Sequence, residues 1–375
     1  MSAPIETPLE AAQAAIAALG PLDATAMAAA TAHLDRLTKP PGSLGRLEGV
    51  VVTLAGITGD PRVSMARRAI VVAAADHGVA RRGVSAYPSD VTAQMVVNFI
   101  DGGAAINALA AGAGASLTVV DVGVAGPIPD VGRGPRGGRL VSARIRTGTA
   151  DMTEGPAMTR MEAIAAVGMG LWVVDELRSA GLDLVGIGDM GIGNTTAASA
   201  IVAVLTGSAP GDVTGRGTGI DDAGRVHKVA MIERAIARNA PDPGDPIGVL
   251  AAVGGLEIGA LTGVILGSVA ARVPVVLDGF ITGAAALLAA GLSPVVAQRV
   301  IAAHRSVEPG HAVVIERLGL APLLDLDLRL GEGTGAALAM QLIDAAVRVR
   351  DEMATFDSAA VSGPVGTVEP SRPRP

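Results

Sequence analysis

Four short apolar runs, Ala69–Ala75, Leu117–Val122, Leu182–Ile187 and Val273–Leu277, each close on Gly, Asp or His and lead into a helical pattern. This alternation predicts an α/β chain: a three-layer α/β/α fold with a mainly parallel, Rossmann-like sheet and a small helical lobe from the termini. Size and composition agree, since 375 residues that are 50% apolar can bury a large core. With one Trp (Trp172), one Tyr (Tyr87) and three Phe, that core must pack from Ala, Val, Leu, Ile and Met.

In chain order, residues 1–50 read as a helical segment of the small lobe, with apolar positions spaced through AAQAAIAALG and TAMAAATAHLDRL before the break KPPGSLGRLE. Residues 51–330 hold the α/β core and the site, 331–356 return a C-terminal helix to the small lobe, and 357–375, rich in Pro, Ser and Gly, form a disordered tail. Gly132–Gly138 reads as a flexible loop. The uncharged stretches Met190–Gly211 and Gly279–Gln298 are interrupted by Gly, Pro, Asn, Thr or Ser and are mostly Ala, so buried helices are expected there and no membrane span. The start MSAPIETPLEAAQAA lacks the features of a secretory signal, and a cytoplasmic protein is expected.

Charge and rare residues narrow the function. A net charge of −7 with dispersed Lys and Arg argues against nucleic acid as a partner. The lack of Cys removes disulfides, thiolate metal sites and a thiol nucleophile. His304 and His311, in HRSVEPGH, are seven apart with Pro309 and Gly310 between them, unlike a helical zinc motif; hydrogen-bonded loop histidines and no metal are expected.

Ligands of such sheets collect at the carboxyl ends of strands, where this chain places Asp76, His77, Asp121, Asp189 and Asp278. Site-shaping hydrogen bonds are expected of Asp76, His77 and Asp278. The segment LDLVGIGDMGIGNTTAASAIVAVL joins a strand to a helix through a glycine turn, and Asn194, Thr195 and Thr196 add donors to the free amides of the first helical turn. That is a cradle for a phosphate. Gly186, Gly188 and Gly191 also satisfy G-x-G-x-x-G, which leaves a dinucleotide site open; Asp212, the acid at the expected distance, lies in a loop-like segment. Near the C-terminus Glu332 stands between two glycines, after the apolar alternation LLDLDLRL that reads as a strand and before a helix. It is either a helix N-terminal partner or a general base.

Eight ordered blocks, KPPGSLGRLE, AADHGV, VTAQMV, GDMGIGNTTAASA, GRGTGIDDAG, LDGFITGAAAL, HRSVEPGH and LRLGEGTGAALA, resemble the nicotinate-nucleotide:dimethylbenzimidazole phosphoribosyltransferase family from Lys39 to Met340. The resemblance implies transfer of phosphoribose from nicotinate mononucleotide to 5,6-dimethylbenzimidazole in cobalamin biosynthesis, by a homodimer that uses no cofactor. It implies Glu332 as the general base. It places the nucleotide phosphate on Gly188, Gly191, Gly193, Asn194 and Thr195, with Lys228, Ser306 and Gly310 nearby, and the benzimidazole on Ser85, Tyr87, Gln94, Met190 and Leu330. Where the family often has Glu, this chain has Asp189, one methylene shorter, so help to the catalytic carboxylate is expected to be weaker or to pass through water. The competing readings are a nucleotide-dependent oxidoreductase and a catalytically silent phosphoribosyl-binding module.

Overall fold

A computed structural model describes residues 7–129 and 137–363. Residues 132–136 of the expected flexible loop and 364–375 of the expected tail lie outside them. Six strands, β1 (Arg68–Ala75), β2 (Ala115–Gly123), β3 (Arg139–Ser142), β4 (Leu184–Met190), β5 (Val275–Leu277) and β6 (Val300–Ala302), form one sheet in the order β3-β2-β1-β4-β5-β6. Every pairing is parallel. The order reverses between β1 and β4, which opens a crevice at their carboxyl ends.

The helices are α1 (Pro8–Ala17), α2 (Ala24–Leu34), α3 (Arg46–Thr58), α4 (Asp90–Asp101), α5 (Ala105–Gly112), α6 (Arg160–Ser179), α7 (Asn194–Thr206) and α8 (Pro210–Val213). They continue as α9 (Asp222–Asn239), α10 (Pro246–Val253), α11 (Leu256–Ala270), α12 (Phe280–Leu292), α13 (Pro309–Leu318) and α14 (Thr334–Glu352). The period-two pleat decides which layer each strand residue meets. On β1, Val71, Ala73 and Ala75 face one layer with residues of α6, α7, α10, α11 and α12, whereas Ile70, Val72 and Ala74 face α3, α4, α5 and α14. The three-layer expectation is met.

Local sequence explains the helical ends. Thr7 and Glu10 close a capping box on α1, and Asp23 caps α2 by accepting from the Ala26 amide at 2.9 Å. Ala26, Ala30 and Ala55 form one small apolar cluster between α2 and α3, and Leu34, Leu37, Val51 and Ala346 form another that reaches α14. The terminal helices therefore meet, yet α14 also buries Ala336, Ala337, Ala339, Met340 and Ile343 against the sheet side. A boundary before residue 331 would part α14 from the sheet that it covers. The first residues of the expected tail, 357–361, belong to a turn in which Phe356 donates to the Arg36 carbonyl and Val361 to that of Phe356.

The two stretches expected as buried helices hold α7 and α12, whose side chains are almost wholly enclosed. Asp90–Gly112 is long and apolar enough to cross a membrane by length and composition. Gly102, at φ 89°, divides it into α4 and α5, and both bury residues in the second core. The alternation LLDLDLRL forms no strand; it makes a single parallel bridge, Leu324 to His304. Leu323 packs against the core that α14 covers, whereas Leu326 and Leu330 are 54% and 57% exposed and Asp327 has a φ of 54°.

Candidate active site

The crevice is built from the ends of β1, β4, β5 and β6. After β4, Gly191 and Ile192 turn into α7, and Asn194 and Thr195 stand at its first turn. Asn194 Nδ2 donates to Asp189 Oδ2 at 2.8 Å. Thr195 Oγ1 accepts from Lys228 Nζ at 2.6 Å. A cavity of about 120 Å³ is lined by Asp189, Met190, Gly191, Ile192, Asn194 and Thr195 from this turn, by Gly217 and Thr218, by His304, Ser306 and Glu308, and by Arg329, Leu330, Gly331 and Glu332. A second hollow of about 640 Å³ shares Gly217, Glu308 and Arg329 with it, so the cleft continues outward.

Glu332 reaches this cavity through an unusual turn. Gly331, Glu332 and Gly333 all have left-handed backbones, with φ of 82°, 62° and 86°. For Glu332 that conformation costs about 1–2 kcal/mol, which the surroundings must hold in place. Asp278, at the end of β5, does so: its carboxylate accepts from the amides of Gly333 (3.0 Å), Gly335 (2.6 Å) and Ala336 (3.2 Å). Gly188 supplies the space, because a Cβ there would lie 2.2 Å from the Gly333 nitrogen and 2.3 Å from the Glu332 carbonyl carbon.

The electrostatics are those of crowded, buried acids. Burial pushes the Glu332 carboxyl up to about 7, against a hydrogen bond from the Ile106 amide that pulls it down. Burial likewise raises Asp278 to about 7 in spite of its three amide donors. Asp189 is held well above the usual carboxylate range by burial first, then by the charges of Asp278 and Glu257, with Glu332 adding to them. At the end of β1, burial lowers His77, but the charge and 2.8 Å hydrogen bond of Glu257 outweigh it and leave the imidazole raised. Asp76 accepts from the Ala125 amide at 2.8 Å. Asp278 thus shapes the site by hydrogen bonds to the turn that carries Glu332, whereas Asp76 and His77 bond to Ala125 and Glu257, which do not line the cavity.

On the other side of the cleft stands a buried cation. Lys228 is 1% exposed, and burial lowers its ammonium to about 8. His311, lowered to about 4 by burial and then by His304 and Arg305, accepts from the Ser306 amide through Nδ1 at 2.9 Å. The motif's second histidine therefore fixes the loop as a neutral ring.

Of the residues expected to hold phosphate, Gly191, Asn194, Thr195 and Ser306 line the cavity, and Lys228 reaches it through Thr195. Gly193 caps α7 at φ 97° without lining the cavity. Gly188 and Gly310 do not line it either. Gly188 packs under the Glu332–Gly333 backbone. Gly310 is packed, a Cβ there falling 2.5 Å from the Phe280 ring and 2.6 Å from the Val213 carbonyl oxygen. Gly186 and Gly188 lie within β4 and do not line the cavity, so of the three glycines of G-x-G-x-x-G only Gly191 faces it.

Of the benzimidazole group, Met190 and Leu330 line the cavity, whereas Ser85, Tyr87 and Gln94 do not. Tyr87 is 53% exposed, and Gln94 lies on the exposed side of α4. Ser85 comes within 3.3 Å of Thr218 Oγ1, so its open loop stands beside the cleft rather than within it. Thr218, His304, Glu308 and Arg329 line the cavity without having been singled out for it. For Glu308 a signal existed, its place between Ser306 and Gly310. Among the described residues no group of three His, Asp or Glu is arranged to hold a metal.

A family model described as Phosphoribosyltransferase matches residues 19–361. The nicotinate-nucleotide–dimethylbenzimidazole phosphoribosyltransferase of Roseiflexus sp. (strain RS-1) is 57% identical over 350 residues, covering 93% of this chain and 98% of that protein. The protein of the same name from Salinispora tropica is 53% identical over 355 residues, covering 92% and 98%. The crystal structure of CobT from Thermus thermophilus superposes with a TM-score of 0.85 at 49% identity, covering 90% of this chain and 99% of that one. The chain belongs to the nicotinate-nucleotide–dimethylbenzimidazole phosphoribosyltransferase family of pentosyltransferases.

Proposed function

We propose that the chain transfers the 5-phosphoribosyl group of nicotinate mononucleotide to 5,6-dimethylbenzimidazole, giving α-ribazole 5′-phosphate and nicotinate, in the synthesis of the cobalamin lower ligand. One observation carries this reading: Glu332 and the glycine turn line the same cavity. A carboxylate and a phosphate cradle across one small space suit a reaction at the sugar carbon between them.

Glu332 takes the proton from one benzimidazole nitrogen while the other attacks the anomeric carbon. A pKa near 7 leaves about half of it ionised at neutral pH, where proton transfer from a weak acid is efficient. Nicotinate leaves from a pyridinium, so its nitrogen needs no acid. Attack on the face opposite to the leaving group converts the β-nucleotide to the α-product with no covalent enzyme intermediate. Met190 and Leu330 offer the acceptor an aliphatic wall. The first turn of α7, Ser306 and Lys228 behind Thr195 hold the phosphate. Asp189, tied to Asn194, supports the ionisation balance of Glu332 rather than touching the acceptor. The same proposal includes a homodimer working in the cytoplasm.

Incubation with nicotinate mononucleotide and dimethylbenzimidazole tests it: free nicotinate and the α-riboside phosphate are expected in equal amounts. Nucleotide binding without either product would leave only a silent phosphoribosyl-binding module, and the transferase reading would fall.

A further inference from the structure

Glu308 is an anion in the wrong place for a phosphate. It is 8% exposed and lines both the cavity and the hollow beyond it. It precedes α13 as its N-cap residue, where a side chain would ordinarily accept from the helix's own amides; no such bond is made. Instead the carboxylate crosses to the glycine loop GRGTG, where Oε1 accepts from the Gly217 amide at 2.9 Å. Oε2 is buried with no partner. The loop is shaped for this, since a Cβ on Gly215 would lie 2.1 Å from Oε2.

A buried carboxylate oxygen without a donor is costly, and it can be satisfied only by a group that carries hydrogen. The chemistry of the nucleotide proposed above leaves few such groups. Its phosphate and its nicotinate carboxylate are acceptors, and its pyridinium nitrogen bears no hydrogen. Its donors are the two hydroxyls of the ribose. The acceptor base has one N–H, which the reaction assigns to Glu332. Lys228 is attracted to Glu308, so a cation lies close to this carboxylate on the phosphate side.

We propose that Glu308 Oε2 accepts a hydrogen bond from the ribose 2′,3′-diol of the nucleotide and makes the enzyme selective for ribose over deoxyribose. This rests on the transferase reading. Glu308 is a specificity residue, and Gly217 and Gly215 set its aim.

The test compares nicotinate mononucleotide with its 2′-deoxy and 3′-deoxy analogues on the full chain, with nicotinate release as readout. For the wild type, kcat/KM is expected to fall by about 10- to 100-fold with at least one analogue. Glu308→Gln keeps an oxygen for the Gly217 amide but turns an NH2 toward the sugar. It is expected to slow the ribonucleotide and spare that analogue, cutting the preference at least fivefold. A role confined to holding the loop would slow all three substrates alike and leave the ratio unchanged, which overturns the proposal. Wild-type rates within threefold for all three substrates also overturn it, and this comparison stands even where the variant fails to fold. A wild type that releases no nicotinate from the parent nucleotide fails the transferase reading itself, a result distinct from both.

Discussion

Replacing Glu332 by Gln should move activity and stability in opposite directions. Burial raises this carboxyl from its ordinary 4.5 to about 7, so the folded chain disfavours the ionised form. The penalty is absent below about pH 4.5, grows as pH rises and is constant above about 7. At about 1.4 kcal/mol per pH unit it amounts to about 3 kcal/mol at most. Gln keeps the shape and carries no charge, so the variant should match the wild type near pH 4.5 and exceed it by up to that amount at pH 8. Thermal denaturation of both proteins across pH 4.5–8 measures the gap. Turnover should fall by about 10²- to 10⁴-fold, the usual worth of a general base. Below pH 7 wild-type kcat at saturating acceptor should drop about tenfold per pH unit, a limb absent from the variant's residual rate. A melting gap that does not widen between pH 5 and 8, or turnover within threefold of the wild type, would refute the reasoning.

Gly188→Ala should drive a methyl into the Glu332–Gly333 backbone and displace the turn that presents Glu332; a fall of about 10²-fold or more in kcat is expected in steady-state assays, with a lowered Tm. Lys228→Met removes the buried cation that donates to Thr195, so nucleotide KM should rise at least about tenfold with a smaller change in kcat. Since burial lowers Lys228 to about 8, wild-type nucleotide affinity, measured by titration, should weaken as pH rises past 8, and the Met variant should lack that dependence. Gly310→Ala separates packing from phosphate binding: a lower Tm with unchanged nucleotide KM at low temperature is expected from its contact with Phe280.

The sheet was legible where a strand is long and buried on both faces, as β1, β2 and β4 are, because such strands read as continuous apolar runs ended by a turn residue. The short strands β3 and β6 were not legible. β3 is a four-residue edge with half-buried side chains, and β6 has three residues. LLDLDLRL misled in the opposite way, with the alternation of a strand but a single bridge and two leucines, Leu326 and Leu330, left exposed. Glycines carried a deeper ambiguity. Gly188, Gly191 and Gly310 look equally fit to cradle an anion, and at all three the place of a Cβ is taken by protein, the Glu332–Gly333 backbone, the Ala75 carbonyl oxygen and the Phe280 ring, while only Gly191 lines the cavity. Glu308 was passed over because its charge matches that of the expected phosphate. Its partner, Gly217, is 91 residues away and invisible to local pattern.

The cost of burying Asp189, Asp278, Glu257 and Glu332 close together has a use in the proposed reaction. Acids kept apart in water would be more stable, and the raised pKa values of three of them record first what burial costs, with like charges adding to it at Asp189 and Asp278. Yet the substrate enters with a pyridinium charge, and its sugar gains oxocarbenium character as the glycosidic bond breaks. In their ionised form these carboxylates favour the transition state over the neutral product, and they do so from positions already set before the reaction. The sheet makes this arrangement possible. β4 and β5 deliver Asp189 and Asp278 from adjacent parallel strands, and Asp278 gives its hydrogen-bonding capacity to the backbone that presents Glu332.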